Sequence, residues 1–593
     1  MAALFTTPKR NDTTAGTHVA EPDVRRRIGL AHGSWRRVTC RIVAGAVCAL
    51  TVSSLLMPSV SLAAEWVKVG GNKYNTAASD EAGTWSWDGA DDLKLNNYNG
   101  GEIQAAGKLN VNYSGTNIVT AEWIESINVS HGTNENAELN IQGDEGGTLS
   151  VTSTEDAILS TGNINIDGAG SVNATSTGFD AINAGGDLAI KGSGNVNATG
   201  ASDGIRANGN ITIDDSGAVT ARATKDKGIG ADKNLTIKGG GTVEASSADG
   251  EALWSGGNIN ISDGSQVKAN SEEDSAVIST YKLTVTNASL NASGAKYGVH
   301  AFGGVTFDHA TVTVRTSAGG GQAIALFTDW DDIVIKNGST VDAFAEGEVS
   351  AAFSTRNDRP NEKGGHIYIS DSVVKAIARY VENGDGPIPY SENQDGETRR
   401  EPQGENIGII AQTSEGVTPA VISIIRSKVT AEGDTAAIFA RAMSADGKTI
   451  GTIKIENAAI QTPEGGKVID YRKLRDGIYE AGQAIGTGDV TVDSLYIKAV
   501  AKSTTIAPPE VAKPEDPKPD ETKPAESQPA ESKQNPKPEG SKPTKAVAAS
   551  TTKAKTTGKL AATGDASSAA IVAAALAGTA AIAAGAVVSR KRS

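Results

Sequence analysis

The chain has 593 residues, of which 68 are glycine and only 4% aromatic, and it carries a formal charge of −15. So few rings in so long a chain call for a narrow core filled by Ile, Val, Leu and Ala. The acidic balance argues against a nucleic-acid partner, because no basic face would neutralise phosphates, and it is compatible with Ca²⁺ or neutral glycans.

At the N-terminal end, Arg36, Arg37 and Arg41 precede an apolar run from Ile42 to Leu56, which leads through Pro58 to Ser61-Leu62-Ala63. A basic region, a short apolar core and small residues before the cut are the order of a secretory signal. Residues 1–63 are therefore read as a leader with a long basic region, cleaved between Ala63 and Ala64. Both cysteines, Cys40 and Cys48, lie in it. An exported protein without cysteines depends on its core, or on ions, for stability. Residues 64–149 read as an N-terminal cap and the first coils. Trp85 and Trp87 stand two apart, on one face of a strand, in Gly83-Thr84-Trp85-Ser86-Trp87-Asp88-Gly89. Two roles fit them: an amphipathic cap that stops edge-to-edge growth, or a stacking surface for sugar rings.

From Asp156 a frame recurs: Asp156-Ala157-Ile158, Asp180-Ala181-Ile182, Asp203-Gly204-Ile205, Lys227-Gly228-Ile229, Glu251-Ala252-Leu253 and Ser275-Ala276-Val277, with steps of 24, 23, 24, 24 and 24 residues. Each is followed by a Gly/Asn turn and an alternating run such as Asn163-Ile164-Asn165-Ile166, then by a third short run around Val172, Val196, Val219, Val243 or Val267. Three short strands with period-two alternation cannot bury an apolar face alone and must stack on neighbouring copies. The expectation is an all-β, right-handed parallel β-helix, a β-solenoid of about 22–24 residues per coil with strands ~4.8 Å apart between coils, running over residues 150–502. Helical repeats are excluded by the lack of 3/4 spacing. Later copies with longer turns are read at Gln322-Ala323-Ile324, Ala351-Ala352-Phe353, Asn406-Ile407-Gly408-Ile409 and Thr435-Ala436-Ala437-Ile438, with a polar insertion over Tyr380–Glu405 that is either functional or disordered.

Residues 503–558 are rich in Pro, Lys, Glu, Ala, Ser and Thr, with Pro524-Ala525-Glu526-Ser527 repeated as Pro529-Ala530-Glu531-Ser532. With almost nothing apolar to bury, this segment is read as a disordered linker that reaches up to about 170 Å if extended at ~3.1 Å per residue. Then come Leu560-Ala561-Ala562-Thr563-Gly564, an uncharged run over residues 569–588 and the cations Arg590, Lys591 and Arg592. The run is long enough for one transmembrane helix, and the terminal cations hold the tail inside. Together these resemble the cell-wall sorting signal of Gram-positive surface proteins, in an alanine-containing variant of the Leu-Pro-x-Thr-Gly motif. The resemblance implies that a sortase cuts between Thr563 and Gly564 and joins Thr563 to the peptidoglycan precursor. It implies a precursor held in the plasma membrane and a mature protein anchored covalently at the cell-wall surface. A plain membrane anchor is the other reading of this tail.

No histidine pair has metal-ligand spacing: His131, His300, His309 and His366 are scattered and read as single surface residues. There is no nucleophile elbow and no phosphate loop, and the many Gly-x-Gly strings are turn residues. What recurs is acid at the corner before the first strand: Asp156, Asp180 and Asp203. In a parallel stack these carboxylates form a column ~4.8 Å apart. The column either caps turns by accepting backbone N–H bonds or shares Ca²⁺, the one cofactor the sequence suggests. The blocks from Asp203 to Ile213 and from Leu235 to Val243 resemble bacterial secreted carbohydrate-binding β-helix proteins related in shape to polysaccharide lyases. That resemblance implies binding of polysaccharides, with calcium in the fold. Three functions stay open: a glycan-binding adhesin, a protein-binding or spacer array, and a lyase using Arg206, Arg222 or Arg315 to take a proton.

Overall fold

The computed structural model describes residues 63–509 except 131–136, 319–320, 360–362, 382–390, 393–397, 400–404, 476–477 and 489–499. The chain divides into two units, Met1–Ala512 and Lys513–Ser593. The second lies outside the described residues, as do the leader before Ala63, the motif Leu560–Gly564 and the span over 569–588. Among the described residues there is no helix, only strands and turns.

Three long, mostly parallel sheets are built from the three strands of each coil. Alternation decides which side chains enter. Ile158–Ser160 buries its ends, Asn163–Gly168 buries Ile164 and Ile166, and Ser171–Ser176 buries every second residue. Equivalent residues then stack in register. In the first sheet Ile158, Ile182, Ile205, Ile229, Leu253 and Val277 pair in succession. The ladder continues through Val299, Leu326, Phe353, Ile409 and Ile438. All of these are fully buried, and each contributes roughly 1.5–3 kcal/mol from burial. One frame shifts: the residue in line with Val299 is Leu326, so the corner triplet is Ile324-Ala325-Leu326 and not Gln322-Ala323-Ile324. The cause is a longer strand, Gln322–Thr328, which starts two residues before the corner.

Both ends of the stack change pairing sense. At the start, Trp66–Val69 pairs antiparallel with Asn72–Tyr74 and with Ile103–Ala106, and Trp85–Trp87 lies antiparallel between Ala78–Ser79 and Asp92–Asn96. At the far end Ile478–Gly486 joins Ala436–Ser444 antiparallel and is followed by Lys467–Arg475. Ser503–Ala507 is also a strand, held antiparallel between Lys428–Gly433 and Ala459–Thr462. Ser503–Ala507, read from the sequence as the start of the linker, is thus part of the sheet, because the alternation of Thr504 and Ile506 gives this segment a buried face. Within the Tyr380–Glu405 insertion, Ser391–Glu392 pairs with Thr398–Arg399.

The corner column changes character along the stack. Asp156, Asp180, Asp203, Lys227, Glu251 and Ser275 are succeeded by Tyr297, Ile324, Ala351, Ile407 and Ala436. In the later coils the outward residues Ile324, Phe327, Ala351, Ile407, Ile410, Ala436 and Phe439 form a second buried cluster with Ile469, Tyr471 and Ala484.

Candidate binding surface

Trp85 and Trp87 are cap residues. They are 7% and 2% exposed, Tyr74 lies 5.1 Å from the Trp85 ring, and Trp87 Nε1 donates to the carbonyl of Ala90 at 3.1 Å. They present no open platform for a sugar ring, although Trp85 lines the floor of a shallow hollow with Asn96, Asn112 and Gln142.

The aspartate column works as a staple between coils. Asp156 Oδ1 accepts the backbone N–H of Asp180 at 2.9 Å, Asp180 Oδ1 that of Asp203 at 2.9 Å, and Asp203 Oδ1 that of Lys227 at 2.6 Å. Asn183 Nδ2 donates to Oδ2 of both Asp156 and Asp180, at 3.1 and 3.0 Å. Lys227 continues the column. Burial raises the pKa of all three carboxyls, that of Asp203 to about 6, with the charges of neighbouring carboxylates adding to the rise. Asp203 Oδ2 is buried without a hydrogen bond, 3.6 Å from Arg206 Nη1. A calcium ion needs several uncommitted oxygens converging on one point. Here five of six carboxylate oxygens accept N–H bonds and the sixth faces a guanidinium, so the bonds present are those of the backbone-capping role. The described acids that do converge are Asp88, Asp91 and Asp92. There Asp88 Oδ1 is engaged by the backbone N–H of Ala90 and Asp92, which closes a turn.

The lyase candidates are dispersed. Arg206 lies on the first sheet between Asp203 and Asp232, at 3.6 and 3.8 Å, whereas Arg222 and Arg315 are on the third sheet, with Arg315 bound to Asp342 at 2.7 Å. Two histidines are not surface residues. His300 is 8% exposed and bonds Asp329 at 2.8 Å, and His366 is 7% exposed and accepts the N–H of Val421 at 3.1 Å. Burial lowers the pKa of His366. His309 is exposed, and His131 lies outside the described residues.

Sequence reasoning missed an open groove of about 600 Å³ on the outer face of the second sheet. Its walls include Asn163, Asp187, Asn210, Asn234 and Asn258 in one column, and Asn165, Thr212, Thr236 and Asn260 in the next. Each column residue binds the coil that follows: Asn163 Oδ1 accepts the N–H of Asp187 at 2.9 Å, and Asp187 Oδ1 that of Asn210 at 2.7 Å. A parallel amide chain runs Asn165 to Asn140 to Asn110 to Asp92, at 2.7, 2.8 and 2.8 Å. Hollows of about 490 and 470 Å³ continue this face toward the cap. The signal was present in the sequence as the outward partners of Ile164, Leu188, Ile211, Leu235 and Ile259, which were read only as turn and alternation residues.

No family model matches the chain, and no curated protein or solved structure matches it.

Proposed function

We propose that this is a wall-anchored surface protein whose solenoid binds an extended glycan, an adhesin without a catalytic role. The observation that carries the reading is the groove of repeated amides and hydroxyls on the second sheet, which offers the same polar groups once per coil. A polymer with a regular repeat meets such a face at many points, and weak contacts add by avidity. We read the coil as right-handed, the sense that parallel crossovers nearly always take. Anchoring rests on the sequence: a leader ending at Ala63, an extended linker, Leu560-Ala561-Ala562-Thr563-Gly564 and the apolar run over 569–588. By resemblance to sorting signals, a sortase and the peptidoglycan precursor are the processing partners.

A protein-binding or spacer array is the second reading. The lyase reading is the weakest, because Arg206 and Arg315 are each held by carboxylates. The deciding experiment is a pull-down on soluble and insoluble polysaccharides, with Ca²⁺ and with chelator, followed by ultraviolet absorbance for unsaturated product. Binding without product is expected. Product formation would make the protein a lyase, and failure to bind any member of a broad panel would favour the protein-binding array.

A further inference from the structure

We infer that the amide groove takes an uncharged polysaccharide and rejects anionic ones, through contacts that require neither a metal ion nor charge attraction. This rests on the glycan-binding reading above and specifies its ligand.

The first support is a count of donors. An Asn side chain has two N–H groups and one oxygen with two lone pairs. Asn210 Oδ1 accepts both the backbone N–H and the Nδ2–H of Asn234, at 3.2 and 3.1 Å, while its own Nδ2 donates to Asp187 Oδ1 at 3.1 Å. Asn234 repeats this toward Asn258, whose backbone and side-chain N–H groups reach Asn234 Oδ1 at 2.9 and 3.3 Å. The oxygens are thus committed to the next coil. Asn210, Asn234 and Asn258 each keep one further Nδ2–H, so this stretch of the column presents donors ~4.8 Å apart and asks the ligand for acceptors such as hydroxyl, ether or ring oxygens.

The second support is charge. Lys238 Nζ lies 2.7 Å from Asp214 Oδ2, and Lys191 stands in register with the same Asp214. Toward the cap, Lys108 faces Glu138 at 3.7 Å. The face therefore has donors without net positive charge, and Asp187 in the donor column repels a carboxylate or sulfate.

The third support concerns the occupant. A peptide that adds as a strand needs an open sheet edge, yet every strand beneath the groove is paired on both sides. Leu188, Ile211, Leu235 and Ile259 behind the polar rows are at most 1% exposed, so there is no apolar pocket for peptide side chains. Hydroxyl-rich chains need neither an edge nor a pocket.

The test is equilibrium binding of the purified full chain to a neutral β-glucan and to polygalacturonate, at low and high NaCl, with and without EDTA. The β-glucan is expected to bind with less than about twofold change across salt and EDTA, and polygalacturonate at least about tenfold more weakly. Asn234→Asp keeps the acceptor for Asn258 but removes both Nδ2–H groups, the one bonded to Asn210 and the free one, and should weaken β-glucan binding about fivefold. Thr236→Lys leaves the ladder intact and should raise polygalacturonate binding, and thermal unfolding checks that both variants fold. Equal or tighter polygalacturonate binding, or loss of β-glucan binding in EDTA or high salt, overturns this inference but leaves the glycan-binding reading standing. Binding of neither polymer by the folded protein overturns this inference, and failure on the whole polysaccharide panel overturns the glycan-binding reading with it.

Discussion

The coils before residue 297 and those after it share one inward ladder and differ in how their corners are held. In the early coils the corner carries Asp156, Asp180 and Asp203, which tie each coil to the next through backbone N–H groups. In the later coils the same column carries Ile324, Ala351, Ile407 and Ala436 inside a second apolar cluster. Amid that cluster sits a buried ion pair: Arg441 Nη1 lies 2.9 Å from Glu405 Oε2, and Arg441 Nε donates to Gln412 at 2.7 Å. Tyr471 donates to Glu480 at 2.7 Å, and burial with that carboxylate raises the Tyr471 pKa. The difference shows that one backbone repeat accepts two solutions at a corner: polar groups that satisfy the backbone, or apolar packing that leaves a few charges to be matched internally.

The sharpest way to break the contrast is Arg441→Met. It strands Glu405 in the later cluster and should cost about 3–5 kcal/mol, whereas adding Glu405→Leu should recover most of the loss; denaturant midpoints of the single and double variants measure both. If the single variant is neutral, the later coils do not depend on that pair.

A smaller effect of opposite sign is expected in the early coils from Asp203→Asn. The folded pKa of Asp203 is raised to about 6, above an unfolded value of about 3.9. The folded state therefore holds this proton more tightly. Stability linked to Asp203 is full below about pH 4, falls as pH rises toward 6, and is flat above it. The Asn variant should gain on the order of 2 kcal/mol at pH 7.5 and nothing at pH 4, read from unfolding curves at the two values. An unchanged difference between the two pH values would show that the column is not strained by its charge.

The smallest effect is Asp156→Ala, which deletes one staple to Asp180. A loss of about 1 kcal/mol is expected, with local hydrogen exchange faster at Asp180 and little altered beyond residue 300.

Much of the fold was legible because the inward ladder is written at a nearly constant interval. Ile158 to Val277 could be placed by spacing alone, and the strand pairing agrees with it. The later coils were harder: insertions change the interval, and Ile324 looks like a ladder residue although it faces the outer cluster. Ser503–Ala507 was lost to its Pro-rich neighbours, since only Thr504 and Ile506 mark it as a strand. For the candidate surface, the aspartates were visible as a column, but their occupation by backbone N–H groups depends on distances that no sequence gives. Trp85 and Trp87 drew attention by residue type, and their burial is set by the cap that folds over them. The asparagines of the groove were hidden by being ordinary, since Asn is also the common turn residue.

Among the described residues, the asparagine side chains that bond a side chain of a neighbouring coil all donate in one sense. Asn165 donates back to Asn140, Asn197 back to Asn173, and Asn234 and Asn258 each to the coil before. Their amide dipoles therefore point the same way along the stack. Every coil repeats the last, yet the two directions along the rod are not equivalent, and a polymer with distinguishable ends would meet a track with a heading.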